Sequence, residues 1–139
     1  MMIYRRPLKK QTLLVVEDDY SSRLLLKHLL QKMNIEVIAA ESGEEALELM
    51  KDRRDVSGML LDIALGNGIT GLELGEQLKL KEQFKNIPMV AVTAYERQLL
   101  GDYQGKGFTG YLQKPYSAAE LGSMLSSQSL GKNGPKLIL

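Results

Sequence analysis

Gly58-Met59-Leu60-Leu61-Asp62 is an apolar run that stops on a carboxylate, and three other runs end in the same way. Leu13-Leu14-Val15-Val16 leads to Glu17-Asp18, Met89-Val90-Ala91-Val92 to Thr93, and Tyr111-Leu112-Gln113 to Lys114. Continuous runs this short, spaced between helical patterns, suit parallel strands buried on both faces. If the four are neighbours, their carboxyl ends meet at one edge of the sheet, where open α/β sheets bind ligands. Three carboxylates, a hydroxyl and an ammonium gathered there would form a pocket for a divalent cation and a phosphoryl group.

Outward from these runs the chain alternates. Ile35 to Ala39 supplies a further strand, and Phe108 to Leu112 extends the last one. Ser42-Gly43-Glu44-Glu45, Thr70-Gly71-Leu72-Glu73, Thr93-Ala94-Tyr95-Glu96 and Ser117-Ala118-Ala119-Glu120 all have the form of a capping box. In that motif the Ser or Thr oxygen accepts from the N3 amide and the Glu reaches back to the cap amide. The first helix, about Tyr20 to Met33, carries Leu25, Leu26, Leu29, Leu30 and Met33 at helical spacing, opposite Arg23, Lys27 and Gln31. The fourth, near Glu96 to Gln104, is the weakest, because Gly101 interrupts it and Gly105 and Gly107 follow. Five βα repeats with right-handed crossovers predict a three-layer α/β sandwich, a five-stranded parallel sheet of order 2-1-3-4-5 with five helices.

The chain of 139 residues fits one domain at 12–127, between a basic leader at 1–11 and an irregular tail at 128–139 containing Gly131, Gly134 and Pro135. There is no cysteine, which excludes disulfides, thiolate catalysis and cysteine-based metal sites, and the sole histidine, His28, excludes a histidine-rich one. His28 lies opposite the apolar stripe of the first helix and reads as a solvated side chain. A net charge of +1 without a basic stripe argues against direct nucleic-acid binding. No stretch approaches the ~20 apolar residues of a membrane span. Arg5-Arg6 superficially resembles an export signal, but the apolar segment behind it is too short, so a cytoplasmic location is the default.

Glu17, Asp18 and Asp62 would repel one another if crowded and ionised, so a site holding all three calls for a cation. Mg²⁺ suits it, taking oxygen ligands and often sharing phosphate oxygens. Asp62 then reads as a nucleophile toward phosphorus, with Thr93 and Lys114 donating to the phosphoryl oxygens. Each residue also has an ordinary structural reading. Adjacent acids suit a helix start, an Asp after a strand serves turns, Thr93 can cap a helix, and lysines are mostly solvated. Pro115 favours an aimed Lys114, because it forces a turn straight after the strand.

These residues together resemble the receiver domain of two-component response regulators, a flavodoxin-like fold. The match runs from Leu13-Leu14-Val15-Val16-Glu17-Asp18-Asp19 through Leu60-Leu61-Asp62-Ile63 and Val92-Thr93-Ala94 to Gly107-Phe108-Thr109-Gly110-Tyr111-Leu112-Gln113-Lys114-Pro115. The resemblance implies that Asp62 accepts a phosphoryl group from a histidine kinase or histidine phosphotransfer protein. It further implies that Glu17, Asp18, Asp62 and the carbonyl of Ala64 bind Mg²⁺, and that Thr93 and Tyr111 form the switch. Such a domain is a signalling acceptor rather than an enzyme, catalysing only its own phosphorylation and dephosphorylation. By the same analogy the first helix and the turn after Pro115 meet the donor. The fourth helix, last strand and last helix change for a downstream partner or a second copy, the chain being a monomer or a phosphorylation-dependent dimer.

Three departures stand out. The loop Ile63 to Gly71 is glycine-rich and one residue longer than the family commonly has, with Gly66 where Pro is usual. Ala64 and Tyr95 hold positions that tune phosphoryl loss, and a bulky Tyr95 would hinder attacking water. No output domain follows, which fits either a stand-alone regulator or a receiver from a hybrid kinase. Among other classes, a phosphatase of the haloacid dehalogenase type needs a second Asp where Ala64 stands. A flavin-binding flavodoxin needs a Ser/Thr/Gly-rich loop where Glu17-Asp18-Asp19 lies. A receiver-like interaction module that is never phosphorylated is the nearest alternative.

Overall fold

The computed structural model describes residues 4–7, 10–131 and 135–138. Along the chain run β1 (Tyr4–Pro7), β2 (Thr12–Val16), α1 (Tyr20–Lys32), β3 (Glu36–Ala40), α2 (Gly43–Met50), β4 (Gly58–Leu61), α3 (Gly71–Lys79), β5 (Met89–Thr93), a 3₁₀ turn (Arg97–Leu100), β6 (Gly110–Gln113), α4 (Ala118–Ser127) and β7 (Pro135–Ile138). Strands β2 to β6 form one sheet in the order β3-β2-β4-β5-β6, all parallel. Counted along the chain, that is the expected 2-1-3-4-5.

Alternation along the strands builds the two faces. Leu14, Val16, Met59, Leu61, Met89 and Ala91 join Ala46 and Met50 of α2 and Leu74 and Leu78 of α3 in one core. Leu13, Val15, Leu60, Val90, Val92 and Leu112 join Leu26 and Leu30 of α1 and Leu121, Met124 and Leu125 of α4 in the other. Both faces of β2, β4 and β5 are therefore covered, which is why their sequences read as unbroken apolar runs. The chain enters its helices through side-chain caps: Asp19 accepts from the Ser22 amide, Ser42 from Glu45, Thr70 from Glu73 and Ser117 from Glu120.

Several expectations change. The described residues form four α-helices rather than five, because the fourth segment stops after one 3₁₀ turn. Gly101 follows it at φ 60°, and Leu100 is the buried residue of that turn, so there is little apolar surface to hold a longer helix. The capping box read at Thr93 and Glu96 does not form. That at Ser42 forms by half, since the Glu45 carboxylate accepts from the Glu41 amide instead of the Ser42 amide. Leu25 is 55% exposed, so the stripe facing the sheet is carried by Leu26 and Leu30, with Leu29 and Met33 beside them.

The ends of the chain also differ. Of the segments read as a solvated leader and an irregular tail, Tyr4–Pro7 and Pro135–Ile138 pair as a two-stranded antiparallel ribbon, Tyr4 opposite Ile138 and Arg6 opposite Lys136. Leu130 is 2% exposed and belongs to the core of α1 and α4. The Gly131 amide donates to Gln11 Oε1 at 2.8 Å. Packing therefore continues past residue 127, because Leu130 fills the space beside Gly58, where a Cβ would stand 2.7 Å from its Cδ1.

Candidate functional site

Backbone hydrogen bonds tie the strand ends into one edge. The Glu17 amide donates to Ala40 O at 3.0 Å, Asp62 to Val16 O at 2.9 Å, and Lys114 to Thr93 O at 2.8 Å. The parallel ladder thus runs on one step beyond the last strand residues, carrying the polar side chains out at a common level.

Glu17, Asp18 and Asp62 each offer a carboxylate oxygen, and these oxygens all lie within 4.8 Å of one another. Glu17 is 4% exposed and Asp62 7%, while Asp18 is exposed. The Lys114 ammonium donates to Asp62 Oδ2 at 2.7 Å and also to Glu17 Oε1. Glu17 Oε2 accepts from the Asp19 amide, and Asp62 Oδ1 accepts from the Ala64 amide at 3.0 Å. One ammonium is therefore shared by two of three clustered carboxylates, leaving the group short of positive charge. Oxygen donors at this spacing fit a hard divalent cation. The Lys114–Pro115 peptide that follows the lysine is cis.

The titrations express the same imbalance. Burial pushes the Glu17 carboxyl up to about 7, against the lowering by Lys114 and the Asp19 amide, and the Asp62 charge adds to the rise. Burial works downward on Lys114, but its hydrogen bonds to Asp62 and Glu17 outweigh that and hold it above its ordinary value. The ammonium gains from both carboxylates, whereas Glu17 has only a share of that ammonium and is opposed by the Asp62 charge.

Thr93 ends β5 fully buried, at 0% exposure, and its hydroxyl accepts from the Tyr95 amide at 3.3 Å. Tyr111 is half-buried on β6, and its hydroxyl donates to the Tyr95 carbonyl. The Arg97 guanidinium lies 5.0 Å from the Tyr111 ring centroid, and the Tyr103 ring packs at 6.3 Å. Desolvation raises the Tyr111 phenol above its ordinary pKa, which keeps it a donor. Thr93 and Tyr111 are thus joined through the backbone of Tyr95, itself exposed.

The structure brings Glu17, Asp18, Asp62, Ala64 and Lys114 together, and sets Thr93 and Tyr111 around one turn beside them. His28 is exposed on α1. Arg23 was not singled out in the sequence: its Nη1 donates to Glu17 O at 2.8 Å, and its Nη2 pairs with Glu41 at 3.7 Å. The signal for it is weak, an arginine in the first turn of a helix that follows an acidic triplet. It braces the backbone of the acidic pair rather than their carboxylates.

The family model for the response regulator receiver domain matches residues 13–126. The chain is 34% identical over 111 residues to the polar-differentiation response regulator DivK of Brucella ovis, covering 77% of this chain and 86% of that one. Among solved structures, the chemotaxis response regulator CheY4 of Vibrio cholerae superposes with a TM-score of 0.79 at 27% identity, over 86% of this chain and 98% of that one. The receiver domain of a sensor histidine kinase from Pseudomonas aeruginosa, solved with a magnesium ion in its active-site cleft, does so at 0.76 and 25% identity, over 86% and 98%. No helix among the described residues is long and apolar enough to cross a membrane.

Proposed function

From a chain that belongs to the response-regulator receiver family of two-component signalling, we propose a Mg²⁺-dependent phosphoryl acceptor whose acceptor residue is Asp62. The observation that carries this reading is the trio Glu17, Asp18 and Asp62 at one strand edge, two of them buried and sharing the Lys114 ammonium. That donor set lacks balancing positive charge and consists of hard oxygens, as a divalent cation requires. Glu17, Asp18, Asp62 and the Ala64 carbonyl would hold the ion. When bound, it would neutralise the acceptor and the incoming phosphoryl oxygens.

The chain's own residues do the rest. An Asp62 carboxylate oxygen bonds to phosphorus as the bond from phosphorus to a donor histidine's ring nitrogen breaks. The imidazole keeps that electron pair and leaves as the neutral base once protonated. Lys114, already on Asp62, offers its ammonium to one phosphoryl oxygen. Thr93, whose hydroxyl oxygen accepts from the Tyr95 amide, turns its O–H to donate to another, and since Tyr111 donates to the Tyr95 carbonyl, a shift of that turn reaches β6. The donor is a histidine kinase or phosphotransfer protein, and a downstream protein partner reads the change on the face of the 3₁₀ turn, β6 and α4. The domain acts in the cytoplasm, as a stand-alone regulator or as the receiver of a hybrid kinase.

Incubation with acetyl phosphate or phosphoramidate and Mg²⁺, followed by intact-mass measurement, tests this. The expected result is one added phosphoryl group, absent with chelator and in Asp62→Asn. No addition, or addition undiminished in Asp62→Asn, would overturn it and leave an unphosphorylated interaction module. Tyr95 is exposed two residues past Thr93, where a bulky side chain would hinder attacking water, so the phosphorylated state should outlast seconds and decay faster in Tyr95→Ala. Loss within seconds in both chains would remove that role from Tyr95.

A further inference from the structure

Helix α2 contributes none of the residues assigned above, yet its first turn grips the loop that does. Glu44 Oε2 accepts from the Ile69 amide at 3.1 Å, across 25 residues of sequence. Gly68, at φ 92°, runs so close beneath that carboxylate that a Cβ there would stand 2.7 Å from Glu44 Oε1. The Ile69 side chain lies over Gly43, where a Cβ would meet its Cγ1 at 2.4 Å. Two glycines and an isoleucine thus let the loop and the helix start approach to contact.

The other end of the same loop lies on the site. Ala64 donates to Asp62 Oδ1, and Gly66, at φ 70°, places its backbone so that a Cβ would be 3.1 Å from Asp18 Oδ2. Leu65 between them is buried in the core of α2 and α3. The loop is therefore bonded to Asp62 at one end and to Glu44 at the other, and Gly66 passes close beside Asp18 between them. A stretch with Gly66, Gly68 and Gly71 has more backbone freedom to lose than an ordinary loop. Unless something outside the loop removes that freedom in advance, binding at Ala64 has to do so.

We propose that Glu44 is a positioning residue for the divalent-cation site. Its carboxylate latches Gly68 and Ile69, and so holds Ala64 and Gly66 against Asp62 and Asp18 before the cation arrives. Glu44 touches neither cation nor phosphoryl group; it acts through the loop, as the outer partners of metal ligands do. It lies in the first turn of α2, beside the positive end of the helix dipole, where acidic side chains are favourably placed. The proposal rests on the reading that Glu17, Asp18 and Asp62 take a divalent cation.

The test is a Mg²⁺ titration of the full chain without phosphodonor, followed by amide NMR, together with hydrogen exchange at Ile69. Glu44→Ala and Gly68→Ala break the contact from opposite sides, so misfolding of one leaves the other informative. Both should raise the Mg²⁺ dissociation constant about three- to tenfold, at or below the low end of the effect of partners that touch a ligand directly. Both should also speed exchange at Ile69. Glu44→Gln keeps an oxygen to accept the same amide and should restore most of the affinity, which separates the latch from a simple loss of nearby negative charge. In phosphorylation assays the half-saturating Mg²⁺ should rise, while the rate at saturating Mg²⁺ stays within about twofold. Glu48→Ala, exposed on the same helix, should change nothing. Wild-type affinity in Glu44→Ala and Gly68→Ala, or Glu44→Gln as weak as Glu44→Ala, would overturn the latch. A wild-type chain that binds no Mg²⁺ would instead sink the cation site itself.

Discussion

Thr70-Gly71-Leu72-Glu73 after β4 and Thr93-Ala94-Tyr95-Glu96 after β5 carry the same capping letters on the two sides of the site, and they end differently. At Thr70 both bonds of the capping box form and α3 follows. At Thr93 the hydroxyl takes the Tyr95 amide, Glu96 accepts from the Gln98 side chain, and a single 3₁₀ turn follows. The difference lies behind the cap. Leu74 and Leu78 of α3 are fully buried, whereas after Glu96 only Leu100 is buried before Gly101 reverses the chain. A cap satisfies the first amides, but a short helix persists by burying an apolar face. On the β5 side the Thr93 hydroxyl therefore sits on a turn, with the Tyr95 amide as its partner, and caps no α-helix.

The contrast between a tight β4 side and a loose β5 side can be broken by substitution. Gly71→Ala should have the largest effect, since a Cβ would sit 2.1 Å from the Asp62 carbonyl oxygen and 2.6 Å from the Ile63 Cα, backbone atoms that cannot swing aside as a side chain would. We expect a loss of about 3 kcal/mol or more in denaturant unfolding. Lys114→Ala comes next, removing the ammonium that Glu17 and Asp62 share. The lysine side chain is 23% exposed, so the cost in metal-free protein should be nearer about 2 kcal/mol than the ~3–5 of a fully buried pair. Added Mg²⁺ should return much of it in thermal melts.

Glu17 sharpens the comparison by pH. Its carboxyl, raised to about 7 from an ordinary 4.5, holds a proton more tightly folded than unfolded. The stability this lends is full below pH 4.5 and is lost as pH rises through about 7. Glu17→Gln cannot titrate, so in chelator-treated protein its stability relative to the native chain should improve across that window by on the order of 1–2 kcal/mol. A gap independent of pH would contradict the raised value. The smallest effect on the site belongs to the loose side. Gly101→Ala meets nothing within 4 Å and carries only the backbone strain of φ 60° and ψ −138°, about 1–3 kcal/mol, and should leave uptake of a phosphoryl group unaffected.

Much of this was legible in the strands and little of it in the ends. Leu13 to Val16, Met59 to Leu61 and Met89 to Val92 could be read because both sheet faces are covered, and burial on two sides leaves an unbroken apolar record. The edge strand β3 and the entry to β6 were less sharp: Ile35 and Phe108 are buried just before their strands, and apolar letters do not mark where a ladder begins. Leu130 and the pairing of Tyr4–Pro7 with Pro135–Ile138 escaped because their partners are more than 60 residues away, or at the other end of the chain. Local periodicity carries no trace of such contacts. Glu44 was readable as a first-turn acid of α2 and not as a latch, since its partner amide belongs to a loop 25 residues on.

The sequence by itself determined the five strands of the parallel sheet and the set Glu17, Asp18, Asp62, Thr93 and Lys114 at their ends. Those follow from residue type and spacing, which act over a few positions at a time. Only the tertiary structure decided that Lys114 is shared between Glu17 and Asp62, that Thr93 is free of a helix, and that α2 reaches the acidic site through Glu44. Each of these depends on which of several bonding partners lies nearest once the chain is packed, and a carboxylate, a hydroxyl or an ammonium takes the partner that packing supplies.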